Sequence, residues 1–142
     1  MNAHIISIGN ELLEGYTIDS NSVWISQFLI TKGITTIKKN TLRDNQDDIS
    51  SGIQSSIKDR TDYIFVTGGL GPTHDDVTKE SLSKLFRSPL IINKDAYKDM
   101  SDKYVSKGKK NIDENSKKQA MILENSTLIK NRVGLAAGFF IK

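Results

Sequence analysis

The run Thr67-Gly68-Gly69-Leu70-Gly71-Pro72-Thr73-His74-Asp75-Asp76 places three glycines, a proline and two adjacent carboxylates between an apolar segment and a helical pattern. Glycine permits positive φ and close approach of a ligand to the backbone, and the first-turn amides of a following helix face any bound anion. A phosphate and the carboxylates of Asp75 and Asp76 would compete for that place, because a helix N-terminus favours negative charge only up to a point. A divalent cation resolves the conflict. Magnesium or a similar hard ion takes oxygens from one or two carboxylates and from substrate phosphates at once. The same residues also allow a structural reading, in which Thr73 caps the helix and Asp76 completes a capping box. Both roles can coexist, and the run is not a Walker A loop, since no Gly-Lys-Ser/Thr follows.

A second acidic position is Asp44, in Arg43-Asp44-Asn45. If the chain forms an open parallel sheet, loops after neighbouring strands face one crevice, and Asp44 can join Asp76 at a metal. As a lone residue it reads equally as a turn or a cap for the next helix. Asp19, Asn21 and Ser22, in the loop after the first strand, can hydrogen-bond a nucleotide or cap a helix. His74, beside Asp75, can ligate metal or protonate a leaving group. His4 opens a strand and reads as structural, and Trp24 and the tyrosines read as core or rim packing.

The elements that must position these groups follow from periodicity. Ala3 to Ile8 reads as a strand ending at Gly9. A helix starts at Asn21 or Ser22, carries Trp24, Ile25, Phe28 and Leu29 on one face, and ends at Gly33. Ile34 to Thr41 reads as a second strand, and Ile49, Ile53 and Ile57 give a helix between Asp47 and Lys58. Tyr63 to Val66 is a third strand, and Val77 to Phe86 is a helix with Leu82, Leu85 and Phe86 at helical spacing. This alternation predicts an α/β fold with helices wrapping a parallel sheet. Past Pro89 come a short apolar run (Leu90 to Ile92), a helical stretch with Tyr97, Met100 and Tyr104 on one face, an interruption at Gly108, and a helix from Glu114 to Met121. Thr127 to Lys130 and Gly138 to Ile141 form a terminal strand pair. The apolar ending Phe139-Phe140-Ile141-Lys142 has no closing helix, as expected of a truncated domain.

At 142 residues, with 37% apolar and 26% charged residues, the chain fits one globular domain, 1–142. The net charge of +3 owes much to Lys98, Lys103, Lys107, Lys109, Lys110, Lys117 and Lys118, interspersed with acids. They read as a solvated helical face, with a weak polyanion surface as the alternative. No nucleic-acid-binding motif is present. There is no cysteine, which excludes disulfides, thiol catalysis and thiolate-bound zinc. No segment approaches the roughly 18 apolar residues of a membrane span, and the N-terminus lacks a signal-peptide pattern, so a cytoplasmic protein with no membrane partner is expected.

Three ordered segments, IISIGNELLEGYTIDSNS, TLRDNQDDI and DYIFVTGGLGPTHDDVTKE, with the later NRVGLAAGF, resemble the amino-terminal domain of the CinA competence and damage-inducible proteins. That domain belongs to the molybdopterin-binding superfamily, which includes the MoaB and Mog proteins and the molybdopterin adenylyltransferases. The resemblance implies a three-layer α/β/α fold with a mainly parallel sheet and a ligand pocket at the glycine loop. It implies a catalytic pair at Asp44 and Asp76, a divalent ion (magnesium or cobalt) held by Asp44, Asp75 and Asp76, and a monovalent cation as a further candidate; no organic cofactor is expected. Gly68, Gly69, Leu70, Gly71 and Thr73, with Asp19, Asn21 and Ser22, would bind the substrate, a small nucleotide or pterin. Leu70 stands where the adenylyltransferases usually carry threonine, which favours the CinA-like branch and hydrolysis of ADP-ribose or a similar dinucleotide to AMP. The alternatives are a molybdopterin adenylyltransferase-like cofactor-biosynthesis protein and a non-catalytic binding and oligomerisation domain. A homodimer or homotrimer is expected from the same resemblance. Ala136-Ala137-Gly138 departs from the family's Ala-Pro-Gly, and the nicotinamide-nucleotide amidase domain of full CinA proteins is not part of this stretch.

Overall fold

A computed structural model of the chain describes residues 1–108 and 111–142, so Lys109 and Lys110 of the lysine-rich stretch lie outside the described residues. The chain forms two compact units, 1–69 and 70–142. It is a mixed α/β protein whose parallel sheet lies in the first unit.

In the first unit, β1 (Asn2–Ile8) is flanked by β2 (Thr35–Leu42) on one side and β3 (Tyr63–Thr67) on the other, both parallel to it. A central strand is covered on both faces, which is why β1 is buried from Ala3 through Ile8 and reads as a nearly continuous apolar run. Its two buried polar residues, His4 and Ser7, are satisfied internally. His4 Nδ1 lies 2.8 Å from Ser56 Oγ, and that hydroxyl donates to Gly52 O at 3.1 Å. The imidazole therefore donates from Nδ1, and burial first, then Lys38, holds its pKa below the ordinary value. The crossovers between the parallel strands are helical: α1 (Asn10–Leu13) and α2 (Ser20–Thr31) before β2, and α3 (Gln46–Lys58) before β3. Leu29 of α2 and Ile49 and Ile53 of α3 complete the core.

Several details correct the sequence reading. Helix α2 is capped by Asp19, whose carboxylate accepts from Ser22 N, rather than by Asn21 or Ser22. The cap of α3 is Asn45, which accepts from the amides of Asp47 and Asp48, so Asp44 is not the cap. Trp24 and Phe28 do not enter the core: they are 63% and 46% exposed and stack on each other, centroids 5.3 Å apart, with Lys32 Nζ over the Phe28 ring.

The second unit begins with the remainder of the glycine loop and α4 (Thr78–Phe86). It continues through β4 (Leu90–Ile92), α5 (Lys94–Ser106), α6 (Glu114–Lys117), a 3₁₀ turn over Lys118–Ala120, β5 (Met121–Leu123), β6 (Thr127–Ile129) and β7 (Gly138–Phe140). β4 pairs with β5 and β6 with β7, both antiparallel. The expected helix to Met121 thus stops at Lys117, and Met121 already belongs to a strand whose carbonyls and amides pair with β4. The core joins Ala96, Met100 and Tyr104 of α5 to Ala120, Ile122 and Ala137. Tyr104 Oη lies 2.9 Å from Ser116 Oγ, so this buried hydroxyl is partnered. The lysines of this unit are not a uniformly solvated face. Lys103 ion-pairs with Asp99 at 2.6 Å and donates to Asn131 O and to Gly134 O at 3.0 Å, pinning the segment before β7.

Candidate functional site

In a parallel sheet the carboxyl ends of the strands lie along one edge, and Ser7 of β1 is in register with Thr41 of β2 and Thr67 of β3. Two of the predicted carboxylates are tied to that edge. Asp44 Oδ2 accepts the Asn10 amide at 2.9 Å, and Asn10 Oδ1 accepts the Asp44 amide at 3.4 Å, which fixes the turn after β2 to the start of α1. Asp19 Oδ2 accepts the Ser7 hydroxyl at 2.6 Å while Oδ1 caps α2. Burial would raise the Asp19 pKa, but the bonds from Ser7 and Ser22 outweigh it and hold the carboxyl below its usual range. Ser22 is buried, with its hydroxyl turned to Asp19 O, and Asn21 stands exposed in the first turn of α2.

Thr67, Gly68 and Gly69 close the first unit. Gly68 has φ +93°, and a Cβ there would stand 1.9 Å from Ile8 O, so the loop passes hard against the end of β1. Only glycine allows that approach. Gly69 is also left-handed, at φ +61°.

Leu70, Gly71, Thr73, Asp75 and Asp76 belong to the second unit. There the chain folds back on itself: Asp76 N donates to Thr73 O at 3.2 Å, and Asp76 Oδ2 accepts from Thr73 N at 2.9 Å and from the Thr73 hydroxyl. The carboxylate lies over Gly71, where an added Cβ would come within 2.5 Å of Oδ2. The capping-box reading is corrected by this geometry. Thr73 bonds Asp76 within the turn, while the N-cap of α4 is Val77, which supplies no side-chain cap. Asp75 stays exposed. His74 is exposed beside it.

Among the described residues no three His, Cys, Asp or Glu side chains gather as a metal cage. A hard ion that keeps several waters and is held by one or two carboxylates plus substrate phosphates requires none. Asp75 and Asp76 are oxygen donors adjacent in sequence, and Thr73 and Gly71 fix the second of them, so their donor chemistry fits such an ion. Asp44 is a carboxylate of the same type in the first unit.

The sequence reading passed over what lies behind Asp76. Lys79 is 2% exposed, and its Nζ donates to Lys118 O (3.2 Å), Gln119 O (3.0 Å) and Met121 O (2.8 Å). Burial, partly offset by Glu80, lowers its pKa to about 8. Lys118 in turn ion-pairs with Glu80 at 2.6 Å and donates to Asp76 O at 2.9 Å. The available signal was phase: Lys79 is three residues before Leu82, on the core side of α4.

Residues 4–141 match the family described as "Probable molybdopterin binding domain". The protein CinA from Thermoplasma acidophilum, a solved structure of unknown function, is 33% identical and superposes with a TM-score of 0.86 over 97% of this chain and 79% of that one. The chain belongs to the molybdopterin-binding domain family, in its CinA-like branch. A competence-damage inducible protein of Natranaerobius thermophilus is 39% identical over the whole chain, and a CinA-like protein of Thermosipho melanesiensis is 41% identical over 94% of it. This CinA-like chain spans about a third of the length of those curated relatives, 34% and 33% respectively. Its fold extends to the tungsten cofactor synthesizing protein MoaB from Pyrococcus furiosus, with a TM-score of 0.60 at 17% identity over 97% of this chain and 79% of that one. Among the described residues of the CinA-like chain, no helix is long and apolar enough to cross a membrane.

Proposed function

We propose that this CinA-like domain binds a nucleotide pyrophosphate at the glycine loop and hydrolyses it with the help of a divalent ion, ADP-ribose being cleaved to AMP and ribose 5-phosphate. The observation that carries the reading is the seat of Asp76, held by two donors of Thr73 over a glycine that leaves room for it. A carboxylate fixed in this way is oriented before any ligand arrives. Amides of Gly68, Gly69 and Gly71 serve the phosphoryl oxygens, where oriented donors stabilise developing charge. Asp76, with Asp75 beside it, supplies oxygens to the ion. When bound, a divalent ion supplies charge neutralisation and a lowered pKa for a water nucleophile. The ion is magnesium or cobalt, and a homo-oligomer acting in the cytoplasm is the proposed setting.

Leu70 is the specificity argument for hydrolysis over adenylylation, since it offers no hydroxyl at the fourth position of the loop. A second reading, a pterin-binding or adenylyltransferase-like role, is favoured by the family's own description. One assay separates them. The purified chain is incubated with magnesium or cobalt and either ADP-ribose, FAD, or ATP plus molybdopterin. AMP released from ADP-ribose supports the proposal; pyrophosphate released only with the pterin supports the second reading. Thermal stabilisation by nucleotide without turnover would make the domain a binding module.

A further inference from the structure

The second unit contains two lysines that hold each other's backbone surroundings. Lys79, from the first turn of α4, reaches the carbonyls of residues 118, 119 and 121. Lys118, from that very segment, reaches back to the carbonyl of Asp76 and the carboxylate of Glu80. The Gln119 carbonyl also accepts the Ala137 amide at 2.8 Å, so the end of the 131–137 segment is tied to the same node. Each lysine thus fixes the place from which the other acts, and Glu80 aims the Lys118 ammonium.

We propose that Lys118 is a positioning residue for Asp76. It touches neither the Asp76 carboxylate nor the loop amides; it anchors the main-chain carbonyl at the point where the 73–76 turn enters α4. That anchor matters because Val77 provides no side-chain cap, and the bonds from Asp76 N to Thr73 O and from Thr73 to Asp76 Oδ2 lie within the turn itself. Bonds within a turn do not set its orientation, whereas a charged donor from a distant segment fixes it to the rest of the unit. The importance of this for catalysis rests on the reading of Asp76 as the functional carboxylate; the anchoring itself does not.

The test uses the full 142-residue chain as Lys118→Met, Lys118→Arg and, as a control on an exposed lysine of α4, Lys84→Met. Hydrogen exchange is followed at the amides of residues 73–77 and, for reference, at β1. The expectation for Lys118→Met is exchange faster by about tenfold or more at 73–77, with β1 unchanged, and Lys118→Arg closer to wild type. In turnover of ADP-ribose, Lys118→Met raises the magnesium concentration for half-maximal rate about tenfold, with kcat at saturating magnesium within about threefold of wild type. Unchanged exchange at 73–77 in Lys118→Met overturns the proposal, as does an equal effect in Lys84→Met. If wild type itself releases no AMP, the functional reading fails while the exchange measurement still decides the role of Lys118.

Discussion

The carboxylate of Asp76 occupies the space that a side chain at Gly71 would need: an added Cβ would lie 2.5 Å from Oδ2 and 2.9 Å from Cγ. Gly71 is not one of the glycines with positive φ, so its role here is space rather than backbone conformation. Gly71→Ala should therefore leave the backbone path intact while pushing the carboxylate off Thr73. The expected stability loss is about 1 kcal/mol, the worth of exposed hydrogen bonds. Turnover should fall much further. Urea denaturation and AMP release on the same preparation check both halves, and a variant with wild-type turnover would show that the seat of Asp76 is irrelevant.

Gly68 gives the opposite expectation. There the obstructing atom is Ile8 O, a backbone atom of the central strand, and φ is +93°. Neither can yield cheaply, so Gly68→Ala should destabilise the first unit by about 3 kcal/mol or more. Chemical denaturation, with hydrogen exchange at β1 to locate the loss, is the measurement.

Lys79→Met removes the donor shared by three carbonyls and should cost about 3 kcal/mol, the scale of breaking a buried charged network. The pH dependence has a definite sign. With the folded pKa lowered from 10.5 to about 8, the unfolded chain binds a proton between those values that the folded chain does not. The Lys79 contribution to stability therefore rises with pH through that window. Unfolding of wild type and Lys79→Met at pH 7, 8, 9 and 10 should show the difference growing in favour of wild type above pH 8. A difference that shrinks would mean that the carbonyls keep the ammonium charged.

Much of this architecture was legible in the sequence because strong local signals agreed with the tertiary outcome. The apolar run of β1 and the four-residue spacing of Ile49, Ile53 and Ile57 point to buried faces; β1, Ile49 and Ile53 are buried, while Ile57, at the end of α3, is 48% exposed. The signals failed where the context was non-local. Met121-Ile122-Leu123 continues an apolar phase after α6, and only its pairing with β4 makes it a strand. Trp24 and Phe28 share a helical face, but what they cover is each other. At the site, the pairing of Thr73 with Asp76 was visible from their spacing, though as a cap and not as a turn. Lys118 could not be found that way, because its partners Asp76 and Glu80 come from a distant part of the chain.

The role of Asp76 in metal-dependent hydrolysis is read from the rate of AMP release from ADP-ribose, with and without magnesium or cobalt, for wild type and Asp76→Asn. The substitution keeps the size of the side chain and an acceptor for Thr73 while removing the charge that would hold the ion. Wild type should release AMP in a metal-dependent way, and Asp76→Asn should be slower on the order of 10²-fold or more. Full metal-dependent turnover by Asp76→Asn would contradict that role.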